Sequence, residues 1–181
     1  MKARALTVVV VLVALGLVSC TKPTSRGPGT DGTARWAFAL ASPKMTGDYE
    51  LRQILGSSVM VDGRLAANTG AWEFVAWSPT LQSKNQITVS YNGATSESVS
   101  AEPAPGPGIV KSALLATWAD SPDVINATNG KRAPGATHAP LMVANVTNYP
   151  KAAGQAVWGI NFDGGGNNQL VGIDGAYIGD Q

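Results

Sequence analysis

Histidine and cysteine are the side chains best suited to nucleophilic catalysis, and this chain carries one of each. His138 lies within residues 135–140, and Cys20 follows an apolar N-terminal run. A catalytic nucleophile needs a base held beside it, and no Gly-x-Ser-x-Gly motif accompanies His138. We therefore predict that His138 lies in a polar surface loop with a structural or solvated role, and we assign no catalytic residue.

The acidic residues show no spacing typical of a catalytic or metal-binding group. The 12 Asp and Glu side chains are scattered, so a hydrolase built on two carboxylates stays an open alternative without a favoured pair. Residues 163–168 read Asp-Gly-Gly-Gly-Asn-Asn and have oxygen ligands at their ends. They lack the alternating carboxylates and the bidentate glutamate of a calcium loop. We predict a hairpin turn there, with no metal and no cofactor.

Tryptophan is the other residue type with evident binding chemistry, because indole rings anchor protein interfaces and stack on sugars. Trp72 and Trp77 are an odd number of residues apart on one predicted strand, so they face opposite sides of it. We predict Trp72, Trp77 and Trp158 as candidate partner-binding residues. The alternative is that helices cover the sheet and bury all five tryptophans of the chain.

The N-terminus has the order of a secretory signal peptide. Lys2 and Arg4 precede an apolar run at residues 6–17, and small residues follow it. The run would form a helix of only about 18 Å, whereas a bilayer core is ~30 Å thick. The segment is therefore predicted to direct export rather than to span a membrane.

The four residues Leu17, Val18, Ser19 and Cys20 resemble the lipobox of bacterial lipoproteins. The resemblance implies that Cys20 receives a diacylglyceryl group and becomes the first residue of the mature chain. Acyl chains contribute about 0.8 kcal/mol per buried CH₂, enough for stable membrane anchoring when two or three are present. The expected location is the bacterial cell envelope, on the outer membrane or the cell surface if the organism has two membranes.

Removal of residues 1–19 would leave a nearly neutral mature chain. Two of the 13 basic residues lie in that segment, so 11 basic and 12 acidic side chains remain. This balance, without any basic run, argues against a nucleic-acid partner. Residues 20–33 are predicted to form a lipidated cysteine and flexible tether, and the Pro/Gly-rich residues 100–108 a linker. The linker separates two predicted units, residues 34–99 and 109–181.

The two units contain similar sequence patterns. Residues 71–77 (AWEFVAW) precede residues 85–94 (NQITVSYNGA), and residues 156–162 (AVWGINF) precede residues 168–176 (NQLVGIDGA). In each unit an alternating run leads through a polar loop to a second run that opens Asn-Gln and closes Asn/Asp-Gly-Ala. Alternation of period two is typical of half-buried strands. We interpret the pattern as an internal repeat with one antiparallel hairpin in each unit.

Helices are predicted before the hairpins. The segments with helix-favouring residues or capping signals are 33–40, 48–55 and 120–130, and a further strand is predicted at 141–146. The fold class that we predict is α+β: two related helix-plus-antiparallel-strand units forming a small antiparallel sheet packed by short helices.

The second unit resembles PepSY-like modules through TWADSPDVINA, VWGINF and LVGIDGAYIG, within residues 114–179. That resemblance implies an envelope or secreted module that binds a protein or peptide partner, with inhibition as one form of that function, and not an enzyme. The first function hypothesis is accordingly a membrane-anchored, non-enzymatic protein- or peptide-binding module. The second is a carbohydrate or cell-wall binding module using an exposed Trp, and the third is an envelope hydrolase.

Overall fold

The structure is a computed structural model that describes residues 31–105, 114, 117–128, 131, 135–139, 141–145, 152, 154–166 and 168–180, the backbone alone for 141–145. A 3₁₀ turn at Ser42–Lys44 follows the first helix. The helices and strands, in chain order, are α1 Ala34–Ala41, β1 Glu50–Ser57, β2 Ala71–Ser78, β3 Ser83–Ser90, β4 Thr95–Ala101, α2 Ser121–Ala127, β5 Leu141–Asn145, β6 Ala156–Ile160, β7 Gln169–Gly172 and β8 Tyr177–Asp180.

The strands form one antiparallel sheet in the order β4-β3-β2-β1-β5-β6-β7-β8. Each half of the chain contributes four consecutive strands, and the two sets meet where β1 pairs with β5. The order reads the same outward from this central pair, so a half-turn about an axis normal to the sheet exchanges the strands of the two halves. Both halves contribute side chains to one principal hydrophobic core. The structure thus confirms an α+β fold of antiparallel strands and short helices.

The two helices lie on the same side of the sheet and meet at their N-termini. Thr33 caps α1 through its side chain, and Asp120 caps α2. The Ala34 backbone N–H donates to the Ser121 hydroxyl at 3.0 Å, and the Arg35 backbone N–H donates to the Asp120 carboxylate at 2.9 Å. Side chains of the N-cap and the first residue of α2 therefore satisfy N–H groups that the first turn of α1 leaves without helical partners. The helices predicted near residues 33–40 and 120–130 are confirmed.

The helix predicted at residues 48–55 is wrong, because this segment forms strand β1. Leu51 and Ile54 both face the core although they are three residues apart, which is the spacing of a helix face. A β-bulge between Leu51 and Gln53 explains this spacing, since the extra residue shifts the alternation of side chains by one. Pairing of β1 with both β2 and β5 then overrides the helix propensity of the segment.

Both hairpins of the predicted repeat are confirmed. β2 pairs with β3 over eight residue pairs, and β6 pairs with β7 over four. The strand predicted at residues 141–146 is also confirmed, as β5. β4 and β8 form additional outer strands, and β4 includes Ser100 and Ala101, the first two residues of the predicted linker.

The same turn joins β3 to β4 and β7 to β8. In the first turn Ala94 N–H bonds the Asn92 side chain at 3.0 Å, and in the second Ala176 N–H bonds the Asp174 side chain at 3.0 Å. The backbone bonds also correspond: Ser90 N to Ala94 O and Gly93 N to Ser90 O in one turn, Gly172 N to Ala176 O and Gly175 N to Gly172 O in the other. The central glycines have φ of 84° and 93°, a conformation that favours glycine.

Asp48 ties the start of β1 to the end of β2, and it makes stability depend on pH. Its carboxylate accepts hydrogen bonds from the Ser78 hydroxyl and the Thr80 backbone N–H. These bonds lower the pKa of Asp48 from 3.8 to about 2. Because the folded pKa lies below the unfolded one, the stabilisation is complete above about pH 4 and is lost as the pH falls towards 2.

We therefore expect Asp48→Asn to destabilise the protein at pH 7 and to have a progressively smaller effect below pH 4. Urea unfolding of the wild-type and variant chains at pH 7, 4, 3 and 2 measures the difference. A difference in unfolding free energy that stays constant over this range would contradict the role of the Asp48 carboxylate.

Candidate functional site

The sheet has two chemically different faces. The helices cover one, where Phe38 of α1 packs on Phe74 with ring centroids 5.4 Å apart. The strands β1 to β4 present alternate side chains to the opposite side, and no described helix packs there. We call this second surface the open face and define it by nine residues: Gln53, Leu55, Glu73, Val75, Trp77, Gln86, Thr88, Ser96 and Ser98.

Cross-strand pairing arranges the open face in rows. One row runs from Leu55 through Glu73 and Thr88 to Ser96, and the next runs from Gln53 through Val75 and Gln86 to Ser98. Each row places amide, hydroxyl or carboxylate groups beside an aliphatic side chain. Directly paired residues lie about 4.5–5.5 Å apart, so a ligand lying across the strands would meet several of these groups at once.

Trp77 borders these rows and is held in place by its neighbours. Its indole Nε1–H donates to the Glu102 carbonyl at 2.9 Å. The Arg52 guanidinium lies 5.5 Å from the ring centroid, within the range of a cation–π contact. Arg52 in turn pairs with Glu50, and Lys84 pairs with Glu102 at 3.3 Å. The charges around Trp77 are therefore compensated in pairs.

Glu73 differs from the charged residues around Trp77. Among the described residues, no cation or hydrogen-bond donor contacts its carboxylate. It lies half-buried on β2, one of the inner strands of the sheet. Its directly paired neighbours, Leu55 and Thr88, carry no charge. A carboxylate with reduced access to water and without an internal partner interacts more strongly with an incoming cation than a fully hydrated one does. Glu73 is the electrostatic centre of the open face.

Over the second half of the sheet, this side is closed. Val157 and Leu170 are buried there beneath Ala152, and Ile178 packs against the same small cluster. Ala152 lies between β5 and β6 in the chain, and it packs on this side of the sheet against Val157 of β6 and Leu170 of β7. We therefore restrict the open face to residues of the first four strands.

The structure separates the three tryptophans proposed as partner-binding residues. Trp72 and Trp158 are 0% exposed and lie in the core on the helix side, whereas Trp77 is half-buried on the open face. The prediction that Trp72 and Trp77 face opposite sides of a strand is confirmed. Trp72 and Trp158 therefore support the sheet from within, and Trp77 is the member of the set placed to contact a partner. Cys20 lies outside the described residues.

His138 belongs to a local cross-link, and its surroundings differ from those of a catalytic base. The Asp163 carboxylate accepts hydrogen bonds from the His138 backbone N–H at 2.8 Å and from the Thr137 hydroxyl at 2.7 Å. These bonds hold the pKa of Asp163 well below its usual range. The Thr137 hydroxyl and the Asp163 carboxylate both approach Nδ1 of His138, at 2.9 and 3.2 Å. In a nucleophile–base–carboxylate relay, the hydroxyl and the carboxylate contact different nitrogens of the histidine ring. The Thr137 hydroxyl and the Asp163 carboxylate therefore do not form such a relay with His138.

Three further features were sought: a metal site, a membrane-spanning helix and similarity to known proteins. In the part of the chain that the structure describes, no three His, Cys, Asp or Glu side chains converge as metal ligands. Neither described helix is long and apolar enough to cross a bilayer. No family model, curated protein or solved structure matches this chain.

Glu73, Gln53 and Gln86 are not among the site residues predicted from the sequence. The signal for Glu73 was present, because the alternation in residues 71–77 that separates Trp72 from Trp77 also places Glu73 with Val75 and Trp77. Gln53 was hidden by the bulge in β1, which made its segment resemble a helix.

Proposed function

We propose that this chain is a bacterial cell-envelope lipoprotein, anchored through Cys20, whose open face binds an extended segment of a partner protein. The observation that carries the proposal is the unpaired, half-buried carboxylate of Glu73 on a sheet face without a covering helix among the described residues. The binding is non-enzymatic, and inhibition of the partner is one form it can take. The support for the anchor is the lipobox-like sequence that ends at Cys20.

The chemistry of the open face defines the partner segment. Glu73 favours a lysine or arginine, because an opposite charge within hydrogen-bonding distance gives a strong, charge-assisted contact. Leu55 flanks this carboxylate with half-buried aliphatic surface, whereas Val75 is only 3% exposed. Gln53 and Gln86 offer amide donors and acceptors. A basic residue next to aliphatic and hydroxyl side chains would complement all of these groups.

We also infer that the two halves of the chain are related units. The strand order supports this, since β1 to β4 and β5 to β8 exchange under one half-turn. The turns at Asn92–Ala94 and Asp174–Ala176 share both their sequence pattern and their hydrogen bonds. Trp72 pairs with Val89 just as Trp158 pairs with Val171 on the corresponding strands. In this interpretation the two units differ on the side of the sheet opposite the helices. This side is the open face in the first unit and is covered at β6 and β7 in the second.

The carbohydrate hypothesis meets an obstacle at Trp77. A sugar ring stacks on an accessible indole face, and the Arg52 guanidinium already lies over this ring. Glycan fragments nevertheless serve as the appropriate counter-probe in a binding experiment.

The experiment that tests the proposal is a titration of the full chain, held in detergent, with three probes. One is a short synthetic peptide in which lysine, valine and threonine alternate, the second carries glutamate in place of lysine, and the third is a soluble cell-wall glycan fragment. We expect saturable binding of the lysine peptide that weakens with added salt, because exposed charge pairs are screened. Equal affinity for the glutamate peptide, or binding of the glycan alone, would contradict the proposal.

A further inference from the structure

Strand β4 ends the sheet as a long and regular edge. All seven of its residues, Thr95–Ala101, are exposed, including Val99 at 58%. It pairs with β3 over seven consecutive residues without a register shift. Among the described residues no strand pairs with its other side. This side presents a row of backbone N–H and C=O groups that can bond a further strand.

Most of the features that usually protect an edge are missing from β4. Natural edge strands discourage pairing through proline, lysine, inward-pointing charges, bulges or very short length. The sequence of β4, Thr-Ser-Glu-Ser-Val-Ser-Ala, contains neither proline nor lysine, and its pairing shows no bulge. Its one charge belongs to Glu97.

The charge of Glu97 is compensated within the protein. Its carboxylate accepts a hydrogen bond from the Asn85 amide at 2.8 Å and lies 3.9 Å from the Lys44 ammonium. Both contacts come from the helix side of the sheet. The edge is therefore electrically close to neutral, and charge repulsion does not oppose the approach of an identical edge.

The order of residues along β4 suits pairing with itself. Ser96, Ser98 and Ser100 alternate on the open-face side, so the pattern is symmetric about Ser98. In an antiparallel pair centred there, Ser98 faces Ser98 of the other copy, and Ser96 faces Ser100. On the helix side, Glu97 faces Val99, so the two Glu97 carboxylates are not directly opposed. Like charges directly opposite one another would destabilise the pair.

We infer that β4 is a self-association edge, at which a second copy of this chain adds its own β4 antiparallel across a twofold axis through Ser98. The axis is normal to the sheet, so the two eight-stranded sheets become one and their open faces lie on the same side. A single pair of edge strands buries less than the ~800 Å² per partner of a standard stable interface. The dimer is therefore concentration-dependent, and covalent trapping is the suitable measurement. This inference is independent of the partner proposed for the open face.

The test is disulfide trapping with mild oxidant in cells that produce the full chain. Directly opposed residues have Cα atoms about 4.5–5.5 Å apart, within the range of a disulfide, so Ser98→Cys should give a covalent dimer. In this register Ser96 lies roughly 14 Å from Ser96 of the other copy, too far for a bond. Ser96→Cys and Ser100→Cys should therefore each stay monomeric alone and should cross-link to each other when produced together. The unsubstituted chain controls for any disulfide through Cys20.

The second variant is Val99→Lys in the Ser98→Cys chain, which places an unpaired charge on the edge and should reduce the covalent dimer at least fivefold. Circular dichroism of the purified variant verifies that it remains folded. Equal trapping from Ser96→Cys and Ser98→Cys, or no trapping from either, would overturn the inference. A disulfide from Ser98→Cys to a different protein would also overturn it, because the edge would then bind another chain's strand.

Discussion

Replacing Trp72 by alanine is expected to lower the free energy of unfolding by about 3–5 kcal/mol. The side chain is 0% exposed and its Nε1–H donates to the Gly32 carbonyl at 3.0 Å. It packs so closely on β1 that a Cβ at Gly56 would lie 2.6 Å from its ring. Removing the indole leaves a cavity where α1, β1 and β2 meet, and the Gly32 carbonyl keeps only its second hydrogen bond, from the Leu65 backbone N–H at 2.9 Å. Urea unfolding followed by circular dichroism gives the change.

Trp77→Ala is the matched control, because it removes the same side chain from the same strand on the other face. Trp77 is half-buried, so we expect it to lower the unfolding free energy by about half as much or less. Equal losses from the two substitutions would contradict the assignment of the core to the helix side.

Glu73→Lys is expected to weaken binding of the lysine peptide tenfold or more. The substitution replaces an attractive pair by two like charges at the centre of the contact, where about 1.4 kcal/mol corresponds to a tenfold change. The glutamate peptide should bind the variant better than it binds the wild-type chain. Isothermal titration calorimetry gives the affinity of each peptide for the wild-type chain and for the variant, and so shows whether the preferred peptide changes.

Asp123→Lys provides the control with the same change of charge. Asp123 is exposed in the first turn of α2, on the covered side of the sheet. It should leave the affinity for the lysine peptide within about twofold, since exposed charges on opposite sides of the domain interact weakly through water. If both substitutions reduce the affinity equally, net charge rather than the open face attracts the peptide.

Much of the fold could be predicted because local sequence and tertiary structure agree in those segments. The alternation of residues 71–77 and 156–162 survives in β2 and β6, where one face packs on helices. Thr33 and Asp120 cap the helices as their residue types indicate. These signals depend only on neighbours in the chain, so they can be read without knowledge of the contacts.

The remaining elements depend on contacts that the sequence does not display. The bulge in β1 gave Leu51 and Ile54 a helix-like spacing. β4 has no apolar alternation because both of its faces are exposed, and its pairing with β3 follows from the turn at Asn92–Ala94. β8 is only four residues long, too short for a periodic pattern.

The same distinction applies to the candidate site. Period-two alternation predicted that Trp72 and Trp77 point in opposite directions, and the structure confirms it. It could not show which side the helices cover, so the buried Trp72 and Trp158 were candidates together with Trp77. Glu73 stands out only when the partners of the surrounding charges are known. Arg52 pairs with Glu50 on its own strand, but Lys84 pairs with Glu102, which is 18 residues further along the chain.

The most direct test of the central claim is to map where the lysine peptide contacts the full chain by ¹⁵N NMR. We predict chemical-shift changes at the Trp77 indole N–H and at the backbone amides of Glu73, Gln86 and Thr88, with the amides of α1 and α2 unchanged. Glu73→Lys should abolish these changes at the same peptide concentration. Shifts that cluster on the helices, or that persist undiminished in Glu73→Lys, would contradict the claim that the open face is the binding surface.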